Sequence, residues 1–221
     1  MNVHIYHFFV FQLQSIHKKK HIQQHKLCKS CSKMEHKSIF FDIETTGLGE
    51  HDKVTVVCTE HYETNVCNVF NFGKATTDEE RAALRDTLIA EFDSATALCA
   101  YNGVRFDLPF LQRALVIPVE TITQWVLKTS DILEQMRLRD NVTCKLDYLC
   151  TVNGVATKSS SGLEAIRMAA EGRWDELEQY CANDVRILCD LYRKRVVKHP
   201  ILSNKLFDLC DYVPSGFYSS V

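Results

Sequence analysis

No apolar run in this chain is long enough to cross a bilayer. The longest N-terminal stretch, Ile5 to Leu13, is broken by His7 and Gln12, and a spanning helix needs roughly 20 apolar residues. No basic stretch precedes it and no clear cleavage site follows, so no secretory signal is expected. The chain reads as intracellular, cytoplasmic or nuclear, with no membrane partner. Internal repeats are lacking, and nothing reads as a second folded domain, so the 221 residues suit one domain with a substantial core. A large excess of one charge is also lacking, with 26 Lys/Arg against 28 Asp/Glu. Cysteine is not scarce. Ten cysteines without a secretory signal point to reduced thiols and exclude a disulfide scaffold.

What is present is a set of four carboxylates and a tyrosine. Asp42 and Glu44 lie in Phe41-Asp-Ile-Glu-Thr-Thr-Gly47, Asp107 in Tyr101-Asn-Gly-Val-Arg-Phe-Asp107, and Tyr180 and Asp184 in Tyr180-Cys-Ala-Asn-Asp184. Ser38 to Ile43 reads as a short apolar strand, and residues two apart on a strand face one way, so Asp42 and Glu44 share a side. Gly47 permits a turn close to a ligand. Asp175 to Lys194 reads as a helix whose apolar surface includes Leu177, Tyr180, Cys181, Val185, Ile187, Leu188 and Leu191. Tyr180 and Asp184, four apart, stack on one face of it. Asp107 follows the apolar Thr96–Tyr101 strand across an Asn-Gly turn and is expected to start the next helix, where exposed amides favour a carboxylate. Taken singly, each segment has a plainer reading: a solvated strand face, a surface helix pair, a turn. An unpaired carboxylate inside an apolar strand is costly, however. Convergence of four acids would imply bound hard cations.

In this order and together, the three segments resemble the motifs of the DEDD superfamily of 3′-to-5′ exonucleases, the DnaQ-like branch of the RNase H-like fold. Asp42 and Glu44 match the first motif, Asp107 with Asn102 the second, Tyr180 with Asp184 the third. Gln179 stands where one subfamily carries His, and Tyr180 marks the tyrosine type. Ser130–Leu133, Lys145–Leu149, Gly162–Ile166 and Glu171–Glu178 look like the intervening segments, and the resemblance covers roughly Ser38 to Arg195. It implies an α/β fold with a mixed central sheet flanked by helices. It also implies phosphodiester hydrolysis with two divalent cations, Mg²⁺ or Mn²⁺, about 3.5–4 Å apart. All-oxygen ligation prefers these ions to zinc. The implied metal ligands are Asp42, bridging both ions, Glu44, Asp184 and, partly through water, Asp107. Tyr180 would orient the attacking water. Thr45, Thr46, Leu48 and Asn102 would meet substrate, Leu48 as an apolar wedge against the last base or, equally, as ordinary loop packing.

The resemblance implies single-stranded DNA as substrate, in proofreading or repair, because the third-motif region looks like family-B-polymerase-type proofreading modules. A polymerase or other replication or repair partner would then act in trans. RNA is the alternative substrate, and a retired, nucleic-acid-binding or polymerase-associated module the alternative class, against which five matched groups argue.

Charge is unevenly divided. Residues 1–37 carry seven Lys/Arg and one acid, a charge of +6, and the remainder carries −8. An acidic body argues against broad duplex binding and suits an enzyme that holds a strand end. The basic arm, with Lys18-Lys-Lys-His21 and six of the nine histidines, reads as a disordered extension, or an upstream artefact with Met34 as the working start, before it reads as a nucleic-acid grip or targeting signal. His25, Cys28, Cys31 and His36 have knuckle-like spacing but too little surrounding core for an expected zinc site. The exonuclease domain is set at 38–197, and a tail without a readable motif, 198–221, is expected to cover the sheet or dock a partner. Within the domain, Lys53–Thr59 and Thr64–Phe70 read as antiparallel strands. Thr77-Asp-Glu-Glu80 is a capping box opening a helix to about Phe92. Pro118 predicts a break, with Ile117, Ile122 and Trp125 in the core, and Thr157–Gly162 reads as a flexible loop.

Overall fold

The computed structural model describes residues 37–157, 162–201 and 205–209. The readings made for the basic arm, the knuckle-like spacing and Met34 lie outside the described residues, as do most of the Thr157–Gly162 loop and the tail beyond Leu209.

The sheet begins with β1 (Ser38–Thr45), two residues longer than the apolar run suggested. β2 (Val54–His61) and β3 (Cys67–Asn71) follow as an antiparallel meander. Thr77 then caps α1 (Asp78–Ser94) with both halves of the capping box formed: its hydroxyl accepts the Glu80 amide at 3.1 Å, and the Glu80 carboxylate accepts the Thr77 amide. β4 (Ala97–Ala100) returns parallel to β1. α2 (Asp107–Ala114) follows, and α3 (Val119–Lys128) starts directly after Pro118, the position where a missing amide costs least. β5 (Thr129–Asp131) pairs parallel with β4 and runs into α4 (Ile132–Asp140). The chain continues through α5 (Leu146–Val152), α6 (Gly162–Ala170) and the long α7 (Trp174–Arg193). A short antiparallel pair closes it, β6 (Val196–Lys198) with β7 (Leu206–Asp208).

The result is an α/β domain with a mixed five-stranded sheet, in the order β3-β2-β1-β4-β5, covered on both faces. Strand alternation assigns each face its layer. Phe40 meets Tyr192 edge-on at 4.9 Å on one side, in the core built from β2, α5, α6 and α7. Its neighbour Phe41 points the other way, to Phe92 at 4.9 Å, which in turn packs on Trp125. Ile117, Ile122 and Trp125 are buried as expected. β6 crosses the 197–198 boundary, and Leu209 joins the core beside Val197, so the described part of the tail packs into the domain. No disulfide joins the cysteines of the described residues, and no helix among them is long and apolar enough to cross a membrane.

Candidate active site

β1 outruns its parallel neighbour. Its pairing with β4 ends at Phe40–Cys99, while its pairing with β2 continues to Thr45. Past Phe40, one edge of β1 is therefore open to other partners, at the carboxyl end of a central strand, where open α/β sheets place their ligands. Asp42 and Glu44 stand on this overhang, on the face covered by α7. Asp42 is half-buried and Glu44 buried. The Asp107 carboxylate comes to the open edge and accepts the main-chain amide of Ile43.

Asp107 is the first residue of α2 and is 3% exposed. Burial pushes its carboxyl well above the usual carboxylate range, and the nearby charges of Asp42 and Asp131 push it further. The turn that delivers it is held by Asp131. That carboxylate accepts the amides of Asn102 (2.9 Å), Val104 (3.0 Å) and Glu134 (3.1 Å), so it fastens the turn and caps α4 at once. Glu134 adds a fork–fork pair with Arg105, of the strong bidentate kind. Asn102 sits at a φ of 70°, a left-handed conformation that Asn tolerates better than most residues. Its side-chain oxygen accepts from Arg137 Nη1 at 3.0 Å.

α7 lies across β1, β2 and β3 and brings Tyr180 and Asp184, 7% and 3% exposed, to the acidic face. Cys181 lies between them in sequence, fully buried. Its thiol donates to the Asp42 main-chain oxygen at 3.5 Å, and its sulfur lies within 4.8 Å of carboxylate oxygens of both Asp42 and Glu44. Burial, then the charges of Asp42, Glu44 and Asp184, push this thiol up to about 12. The thiol is engaged with the Asp42 main-chain oxygen, which leaves the carboxylate oxygens as the donors. That donor set, with its crowded negative charge, fits hard divalent cations. Sequence reasoning placed Cys181 in the helix core but did not find its contact with Asp42. It also passed over Asp131, whose partners lie far back in the chain.

The loop after β1 is tightly built. Thr45 is buried, and its hydroxyl donates to the Gly47 oxygen at 2.7 Å. Thr46 is exposed, and its hydroxyl bridges Asp52 (2.9 Å) and the Lys53 amide (3.0 Å). Asp52 also accepts the Gly49 amide at 2.6 Å, and Arg113 of α2 reaches the Gly49 oxygen at 3.2 Å. A Cβ at Gly47 would lie 2.6 Å from the Asp52 carboxylate, so only glycine admits this arrangement. At the tip Leu48 is 76% exposed. It is not packed into the loop.

The family model of the RNase_H superfamily matches residues 39–196. Among solved structures, the family B DNA polymerase of the hyperthermophilic archaeon Pyrobaculum calidifontis superposes with a TM-score of 0.55 at 17% identity, over 75% of this chain and 25% of that one. The chain thus spans about a quarter of that polymerase, and the likeness is one of fold. A structure of SSB/Exonuclease I with an inhibitor aligns at a TM-score of 0.46 and 18% identity, over 72% of this chain and 41% of that one. No curated protein matches in sequence.

Proposed function

This chain belongs to the RNase_H superfamily, and from that premise we propose that it is a metal-dependent 3′-to-5′ exonuclease of the tyrosine type, acting on single-stranded DNA. One observation carries the reading. Asp107 at the head of α2 feels the charge of Asp42, and Asp42 and Glu44 on the β1 overhang act together with Asp184 of α7 on the one thiol of Cys181, with Tyr180 four residues before Asp184 on the same helix, so three separated segments meet. A domain needing only stability has no use for buried like charges at such a place.

Asp42, Glu44, Asp107 and Asp184 would hold two divalent cations, which when bound supply activation of the attacking water and stabilisation of the leaving 3′ oxygen. Each protein group has a separate task. Asp42 and Glu44 present oxygens from a rigid strand, so their separation is fixed before substrate arrives. Asp107, anchored to the Ile43 amide, ties α2 to the same strand. Tyr180 orients the attacking water. Leu48, with Thr45 and Thr46 behind it, meets the terminal nucleotide, and its exposed position on a braced loop supports the wedge reading. Asn102, held by Arg137, belongs with the turn that carries Asp107 and borders the substrate. Residues 38–197 form the catalytic unit, with a polymerase or repair complex as the setting in which such an activity would serve.

The test uses 5′-labelled single-stranded DNA and RNA of one sequence, with Mg²⁺ or Mn²⁺ and with chelator. A chelator-sensitive ladder shortening from the 3′ end, faster on DNA and absent in Asp42→Ala, is expected. A faster ladder on RNA would reassign the substrate. No cleavage of either would leave a binding module.

A further inference from the structure

A second feature lies at the same end of the sheet, on its other face. A cleft of about 430 Å³ opens between the start of β2, the first turns of α1 and the end of α2. Lys53, Arg81 and Arg85 line it against a single acid, Asp78, with Phe72 and Val116 among the apolar walls. This reverses the local sign in a body whose residues 38–221 carry nineteen cations and 27 acids. Among the described residues Arg85 pairs only with the exposed Asp86, and the Arg81 guanidinium donates to the Ala75 oxygen at 3.1 Å. Neither Lys53 nor Arg81 has an ion pair among the described residues. Val116 at the rim is 82% exposed and holds a φ of 54°, a strained conformation for a β-branched residue.

The cleft and the acidic site are joined by short, stiff connections. Lys53 exchanges hydrogen bonds with Thr46 through its amide and carbonyl, at 3.0 and 2.9 Å. α2 runs from Asp107 at one site to Ala114 at the other, a span of about 12 Å at 1.5 Å per residue. That distance puts the cations within reach of the nucleotides next to a 3′ end, not of the terminal one. We infer that this cleft binds the phosphate backbone of the single strand whose 3′ end occupies the acidic site. It is an electrostatic track of the kind that follows a strand without reading its bases. The inference rests on the nuclease reading, and its test separates the two.

The variant is Lys53→Ala/Arg85→Ala, neither residue being one of the five matched groups of the acidic site. Binding of a labelled strand of about twelve nucleotides, measured in chelator so that no turnover occurs, should weaken about tenfold, and the salt slope should become shallower by about 1.4, the loss of two single-strand phosphate contacts. In hydrolysis, KM for the long strand should rise with kcat unchanged, and a dinucleotide should be cleaved as by the wild type. Lys53→Arg/Arg85→Lys should restore long-strand binding. Equal binding of the long strand by wild type and alanine variant would overturn the cleft, as would an equal loss on the dinucleotide. Displacement of the long strand by millimolar inorganic phosphate would mark a small-anion pocket and overturn it too. If the wild type cleaves nothing, the nuclease reading fails, and the binding arm alone still decides the cleft.

Discussion

Asp107 owes its position to a carboxylate that is not one of the five matched groups. Asp131 gathers three main-chain amides, two of them from the turn leading into α2, and a buried amide left without an acceptor costs about 1–3 kcal/mol. Asp131→Ala is therefore expected to lower the unfolding midpoint and to reduce kcat. Asp131→Asn, which keeps one acceptor oxygen, should fall between the two in thermal melts and in turnover. At Leu48 the opposite pattern is expected. An exposed side chain supports little stability, so Leu48→Ala should leave the melting temperature within about 1 °C, a surface substitution being worth under ±0.5 kcal/mol, while raising KM for strands. A melting loss without a KM change would return Leu48 to the role of loop packing. The five acidic and phenolic positions could be singled out in the sequence because their types and spacings are local. Asp131 was not, because its meaning lies in main-chain amides 27 and 29 residues earlier. The thiol of Cys181 was hidden in the same way, as one of several apolar residues on a buried helix face.

Among the elements, those with a strong periodic or capping signal were readable from sequence: β1 to β3, α1 with its capping box, and α7. The strands β5, β6 and β7 have three residues each, too few to show alternation, and they exist through pairing with distant segments. Beside the buried Leu88 and Phe92, α1 is tied to the sheet by Glu91, whose carboxylate accepts from Thr59 (3.1 Å) and Asn68 (3.0 Å) and meets His61 Nε2 at 2.7 Å. Burial raises this carboxyl, but the combined Asn68, His61 and Thr59 contacts outweigh it and hold it below the usual range. A depressed carboxylate contributes stability above its unfolded pKa of about 4.3 and loses it as pH falls through the folded value. Glu91→Gln should thus cost about 1 kcal/mol near neutrality, with the difference from wild type closing below about pH 4. A pH-independent difference would show that packing, not charge, joins α1 to the sheet. Thr77→Ala should cost about 1 kcal/mol at all these pH values, as the loss of a cap.

On the scale of the molecule, the sheet separates two tasks. One face, under α7, carries the buried Glu44 and Asp184 and the half-buried Asp42, and past Phe40 the overhang of β1 no longer pairs with β4. The other face, under α1 and α3, holds the aromatic core of Phe41, Phe92 and Trp125. The α/β class was legible from the order of elements. The overhang was not, because it depends on where two strands stop pairing. Deletion of residues 1–33 should leave cleavage of short single strands within about threefold of the full chain, since the matched family region begins at residue 39 and few contacts cross a domain boundary. An inactive truncation would make the arm part of the site. The central claim, that the carboxylates converge to hold divalent cations, is tested most directly by calorimetric titration of Mn²⁺ into the wild type and Asp42→Asn at neutral pH. Saturable binding approaching two ions per chain, weakened at least about tenfold by the substitution, is the predicted result. Absent binding, or equal affinity in both proteins, would contradict it.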